Sequence, residues 1–151
     1  MSLKKETGVS LIEVLVTVVI LATALMTIAA LQTRSIQFNQ SAYMRSQANI
    51  FAYDILDRIR INRGADSANI STYNVAYGGN VPASNAVASA DITAWRANIT
   101  AVLPGGDGAI NCVAATKVCT VSIRWLEEQI EGELAADNPE AQTEFIYSTS
   151  I

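Results

Sequence analysis

The chain has 151 residues, half of them apolar, with a formal net charge of −4 and no histidine. The missing His removes Ser-His and Cys-His nucleophile pairs and the common zinc hydrolase sites. The acidic balance argues against a general nucleic-acid binder, and the length suits one small domain plus one long helix.

The first strong signal is an apolar run. From Val9 to Leu31, twenty-three residues carry a single charge, Glu13. About 20 apolar residues span a bilayer as a helix. A carboxylate at the centre of such a span costs about 2.5–3.5 kcal/mol, and less near its ends, so an intramembrane acid is a functional candidate by default. A cleaved secretory signal has an apolar core of about 7–15 residues followed by a small-residue cleavage site. This run is longer and has an acid near its start, although an ordinary signal anchor remains the alternative. Lys4 and Lys5 precede the run. Basic residues stay cytoplasmic, so the chain beyond about Gln32 is expected outside the inner membrane.

The helical pattern continues past Leu31. No Gly or Pro occurs between Val9 and Arg63, and Ile36, Tyr43 and Ile50 recur every seven residues, extended by Ile55 and Ile59. Polar residues fill the other faces, which predicts an amphipathic continuation. One helix from about Ser10 to Asn62 is expected, stopped by Gly64 and roughly 80 Å long. Asp54 and Arg58 are placed for an i,i+4 pair.

Residues 64–90 are rich in Ala, Ser, Asn and Gly. Tyr73, Val75 and Tyr77 alternate as a short strand would, and Gly78-Gly79 and Val81-Pro82 break it. A second helix is expected from about Ile92 to Val102, with Asp91 as N-cap and Trp95 in the core. Pro104-Gly105-Gly106 ends it. Ala109–Trp125 reads as a hairpin. Cys119, Val121, Ile123 and Trp125 form one apolar face, and Ile110 and Cys112 precede them in phase. Cys112 would then oppose Cys119 on the inward side, and a disulfide there suits an oxidising periplasm. Free thiols and a metal pair are the alternatives, but two Cys without His lack the ligands for structural zinc. Residues 126–142 read as a solvated acidic loop, with Glu127, Glu128, Glu131, Glu133, Asp137 and Glu140 in no calcium-loop spacing. Thr143–Ile151 reads as a last strand. Charge is uneven: residues 32–63 hold five Arg and two Asp, and residues 125–151 hold seven acids and no base.

The segment Gly8-Val9-Ser10-Leu11-Ile12-Glu13, with the apolar run Val14–Leu31, resembles the N-terminus of type IV prepilins. That family has a short basic leader ending in Gly, an acid at the fifth mature position and an unbroken apolar helix. Here Val9 stands where Phe is usual, and Thr7 where Lys or Arg is usual. Later stretches resemble PilV-type minor pilins: Tyr53–Arg63 closing the helix, Trp95-Arg96, Leu103-Pro104-Gly105-Gly106 and the strand ending in Trp125.

The resemblance implies a pilin-like α+β fold, a long N-terminal helix packed on a small antiparallel sheet with a short additional helix. It implies a leader 1–8, a long helix 9–63 with a membrane-spanning part 9–31, and a periplasmic domain 64–151. Prepilin peptidase would cut between Gly8 and Val9 and methylate the Val9 amine. Glu13 would act in assembly. The implied role is a minor subunit of the type IV pilus, promoting assembly initiation or a tip complex, and so adhesion or twitching motility. Its partners would be other minor pilins, the major pilin and a tip adhesin, first in the inner membrane and then in the fibre. The alternatives are a type II secretion minor pseudopilin and a membrane-anchored periplasmic binding protein that never polymerises. Catalysis, a cofactor and a metal are not expected.

Overall fold

The computed structural model describes residues 10–127 and 142–151. It has a long N-terminal helix α1 (Leu11–Asn62), a second helix α2 (Ala86–Val102) and three strands, β1 (Asp107–Val113), β2 (Val118–Leu126) and β3 (Gln142–Ser150). The strands form one antiparallel sheet in the order β1-β2-β3. This is the expected pilin-like α+β architecture. The chain divides into two units between Asn39 and Gln40, within α1.

The helix α1 is uninterrupted because nothing in it breaks the backbone ladder. It ends before Gly64, whose φ of 70° is left-handed, a conformation that costs glycine little and other residues more. The amide of Asn69 then closes the turn on Arg63 O at 3.0 Å.

In the second unit, one apolar cluster joins the end of α1, the helix α2 and one face of the sheet. The contributions from α1 are Ala48, Ala52, Ile55, Leu56 and Ile59. Ile55 and Ile59 lie on the seam as expected, but its earlier part is corrected, because Ile36, Tyr43 and Ile50 are more than half exposed. At 3.6 residues per turn, Ile50 lies about 160–200° round the helix from Ala48. At this level of the helix the small Ala48 and Ala52 face the core and let the backbone approach it, while Tyr43 and Ile50 point away; further along, the large Ile55, Leu56 and Ile59 fill it.

The helix α2 begins six residues before the expected Ile92. The side chain of Asn85 caps it, accepting from the amides of Val87 at 3.0 Å and Ala88 at 3.2 Å. That leaves Asp91 inside the helix, where its carboxylate has other partners. Ala88, Ile92, Trp95 and Ile99 are buried, and Trp95 Nε1 donates to Phe51 O of α1 at 2.9 Å.

The expected strand at residues 73–77 is instead a 3-10 turn, Ile70–Tyr73, followed by one antiparallel bridge between Val75 and Ile110. The hairpin register puts Cys112 opposite Cys119, and the two form a disulfide inside the core. Strand β1 starts at Asp107, two residues earlier than expected, and β3 starts at Gln142. Of the acidic stretch, residues 128–141 lie outside the described residues. Glu127 is described, and it is not freely solvated. Its carboxylate accepts from Thr143 Oγ1 at 2.6 Å and lies 3.7 Å from Arg45 Nη2.

Gly108 sits where α2 meets β1, against the six-membered ring of Trp95. A Cβ there would fall 2.3 Å from Trp95 Cη2 and 3.0 Å from Ile99 Cδ1. Overpacking of this kind typically costs about 1–3 kcal/mol. We expect Gly108→Ala to lower the stability of the second unit, Gln40–Ile151 and hereafter the head, by about that much in urea unfolding followed by tryptophan fluorescence, and an unchanged midpoint would contradict the packing.

Candidate functional site

The first candidate is the N-terminal part of α1. From Ser10 to Gln40 every side chain is exposed, and the most apolar stretch reaches a mean hydropathy of 2.7. It is one helix long and apolar enough to cross a membrane once. Its threonine hydroxyls are satisfied within the helix. Thr17 Oγ1 donates to Val14 O at 2.8 Å, Thr23 Oγ1 to Ile20 O at 2.9 Å and Thr27 Oγ1 to Thr23 O at 3.0 Å. In hydrocarbon an unpaired polar group is expensive, so this internal pairing is what a lipid-facing surface requires.

Glu13 lies in the first turn of α1. Its backbone N–H donates to Ser10 O at 2.9 Å. The first amides of a helix carry partial positive charge, which favours an anion there. Gly8 and Val9, the expected cleavage and methylation positions, lie outside the described residues.

The second candidate is the polar cluster that locks α1 to α2 in the head. Arg58 Nε donates to both Asp54 oxygens, at 3.1 and 3.2 Å, and Arg58 Nη1 donates to Asp91 Oδ1 at 3.2 Å. Asp54 and then Asp91 hold the guanidinium pKa above its ordinary value. Tyr73 Oη donates to Asp91 Oδ2 at 2.8 Å and accepts from Asn62 Nδ2 at 3.0 Å. Sequence reading found the Asp54–Arg58 pair but missed Asp91 and Tyr73, whose positions carried only cap and strand signals. With every member partnered, the cluster is a structural lock with no free nucleophile.

The third candidate is the outer sheet face. The Tyr77 ring lies under the Arg124 guanidinium, 4.2 Å from its centroid, and Tyr77 Oη donates to Glu144 Oε1 at 2.8 Å. Arg96 ties the preceding loop down, donating to Gly79 O at 2.7 Å and to Gly108 O. Among the described residues no group of three or more His, Cys, Asp or Glu could hold a metal ion. Comparison with protein-family models, curated proteins and solved structures finds no match to this chain.

The tyrosines give the head a pH signature. Burial above all, with the Asp91 hydrogen bond adding to it, pushes the Tyr73 hydroxyl from 10.0 up to about 12. Burial and then Glu144 raise Tyr77 in the same direction. A raised folded pKa means the native head keeps protons that the unfolded chain releases. This stability is whole below pH 10 and is lost as pH rises towards 12. We expect the urea midpoint to be flat from about pH 6 to about pH 9 and to fall between about 10 and 12. Tyr73→Phe should lower the midpoint at neutral pH and flatten that fall. An equally steep fall in the variant would remove Tyr73 as its cause.

Proposed function

We propose that the chain is a minor subunit of a type IV pilus, anchored in the inner membrane by α1 before it joins the fibre. Glu13 carries this reading. It is the one charged residue of the apolar run Val9–Leu31, near the start of a helix whose side chains are all exposed from Leu11 to Gln40. A helix built only to anchor has no use for an acid there. A helix built to pack against like helices does, because a uniform Val/Leu/Ile surface permits many axial registers and one charge pair selects among them.

In the membrane, the carboxylate of Glu13 is held by the helix N-terminus and by the amine that cleavage after Gly8 would create at Val9, four residues away. In a fibre it would be buried among apolar helices. There an unpaired charge costs several kcal/mol, which a neighbouring subunit's Val9 amine offsets. In this reading prepilin peptidase cuts and methylates at Val9. Other minor pilins, the major pilin and a tip adhesin are the partners, and the Cys112–Cys119 bond is a periplasmic staple.

Two measurements test the proposal. Mass spectrometry of membrane-extracted protein should give a mature chain beginning at N-methylated Val9; an intact Met1, or cleavage after Leu31, would refute it. Glu13→Val should leave processing and membrane insertion intact and cut incorporation into sheared pili by at least about tenfold, equivalent to 1.4 kcal/mol of lost pairing. Normal incorporation would end the register role. A processed chain whose loss impairs protein secretion but leaves surface pili at normal numbers would assign it to a type II secretion pseudopilus instead.

A further inference from the structure

The two edges of the sheet are treated differently. On β1, the bridge to Val75 fixes which groups point outward. Val75 and Ile110 exchange both backbone bonds at 2.9 Å, so Gly108, Ile110 and Cys112 turn their N–H and C=O away from β2. Each of these groups is occupied. The Gly108 N–H donates to Asp107 Oδ1 at 2.8 Å, and Gly108 O accepts from Arg96. The two ends of the Asn74 amide engage the N–H and C=O of Cys112, as a strand residue would. Nothing on this edge is left for another strand.

The same alternation carried through β2 settles β3. Val121 faces Ile110 without bonding it and therefore bonds Tyr147. Phe145, Tyr147 and Thr149 turn towards β2, so Glu144, Ile146 and Ser148 turn their N–H and C=O outward. Among the described residues none of these backbone groups has a partner. Proteins usually blunt such an edge with Lys, Pro, a bulge or a cover. Residues 142–151 contain no Lys, Arg or Pro, and β3 pairs with β2 over all nine of its residues without a bulge.

We propose that β3 is a docking edge for an extended segment of another polypeptide, apolar at alternate residues and basic at the others. Main-chain bonds would supply the affinity, as in strand addition generally. The two faces of β3 set the side-chain chemistry. On the core side, Tyr147 packs 5.0 Å from the half-exposed ring of Tyr53, so side chains next to that row are apolar. On the outer side of β3 stand Glu144, Ile146 and Ser148, with one acid and no base; Glu144 accepts from Tyr77 through Oε1, and Arg124, across from it on β2, lies 3.6 Å from Asp107. A basic residue across from Glu144 makes a favourable cross-strand pair and an acidic one is repelled. A second copy does not fit, because its β3 offers an acid and no base. The proposal is independent of the pilus reading.

The test uses the full chain in detergent micelles and an end-capped nine-residue peptide alternating Val with Lys and Thr. Without peptide, the amides of Glu144, Ile146 and Ser148 should exchange with deuterium at least tenfold faster than those of Phe145 and Tyr147. Saturating peptide should slow the same three at least tenfold, and replacing its Lys by Glu should weaken binding at least tenfold. Ile146→Pro removes an N–H that points outward, so no ladder bond to β2 is lost. It should abolish binding while the thermal melt stays within a few degrees. Three results would overturn the proposal: outward amides already protected in the free chain, whether by residues 128–141 or, with concentration dependence, by a second copy; equal binding by the Glu peptide; or undiminished binding to a folded Ile146→Pro chain.

Discussion

The rest of the molecule depends on one constraint, an α-helical backbone that runs 52 residues without a break and must serve two environments. An unbroken ladder satisfies its own N–H and C=O groups wherever it goes. Only the side chains then decide what each part can face. Up to Leu31 they are apolar on all sides apart from Glu13, and the threonines bond back to carbonyls one turn earlier. From Ala48 onward a narrow seam of two alanines, then Ile55, Leu56 and Ile59, meets the head. The change is made without Gly or Pro between Val9 and Arg63.

Much of this was legible in residue order, for physical reasons. Composition alone sets the extent of α1, because no other residues stop a helix as Gly and Pro do. Strict alternation from Cys119 to Trp125 fixed β2, and phase with Cys112 fixed the register that the disulfide requires. The end of the seam on α1, Ile55 and Ile59, was legible, but its beginning was not. Ile36, Tyr43 and Ile50 recur every seven residues and outweigh two alanines on any hydrophobicity scale, yet packing favours the alanines because the close approach needs small side chains. The start of α2 was hidden for a related reason. Asn85 is followed by Ala-Val-Ala-Ser-Ala, a good helix former with a weak apolar stripe, whereas Asp91 stands just before the strong one.

Glu13 was visible because a charge inside an apolar run is conspicuous. The Asp91–Tyr73 contact and the Asn74 amide pair were not. Each is a polar residue in polar sequence, and its meaning comes only from a partner far away in the chain, 18 residues for the first and 38 for the second. Local pattern carries no record of such distances. The same holds for Arg96, whose guanidinium gathers carbonyls from two separate stretches, Ala76 and Gly79 in one and Gly108 in the other.

These long-range polar contacts are spent unevenly over the head. The disulfide closes a short loop between β1 and β2, worth about 2.5 kcal/mol in the chain-entropy model. On the same Cys112, the amide of Asn74 fastens the backbone from the other side. Arg96 and Asp107 fix Gly108 at the far end of the strand, and Val75 fixes the middle. Strand β1 is therefore held by a covalent bond, a salt-bridged cation, an amide clamp and a backbone bridge. Strand β3 has its ladder to β2, the Tyr53–Tyr147 contact and three side-chain links from Tyr77, Thr120 and Glu127. Those links hold its side chains and leave its outer backbone groups alone. Stability needs only one firm edge from which the sheet can be built inward. With β1 closed and stapled, the fold tolerates β3 presenting main-chain groups that have no partner among the described residues, at the opposite side of the same small sheet.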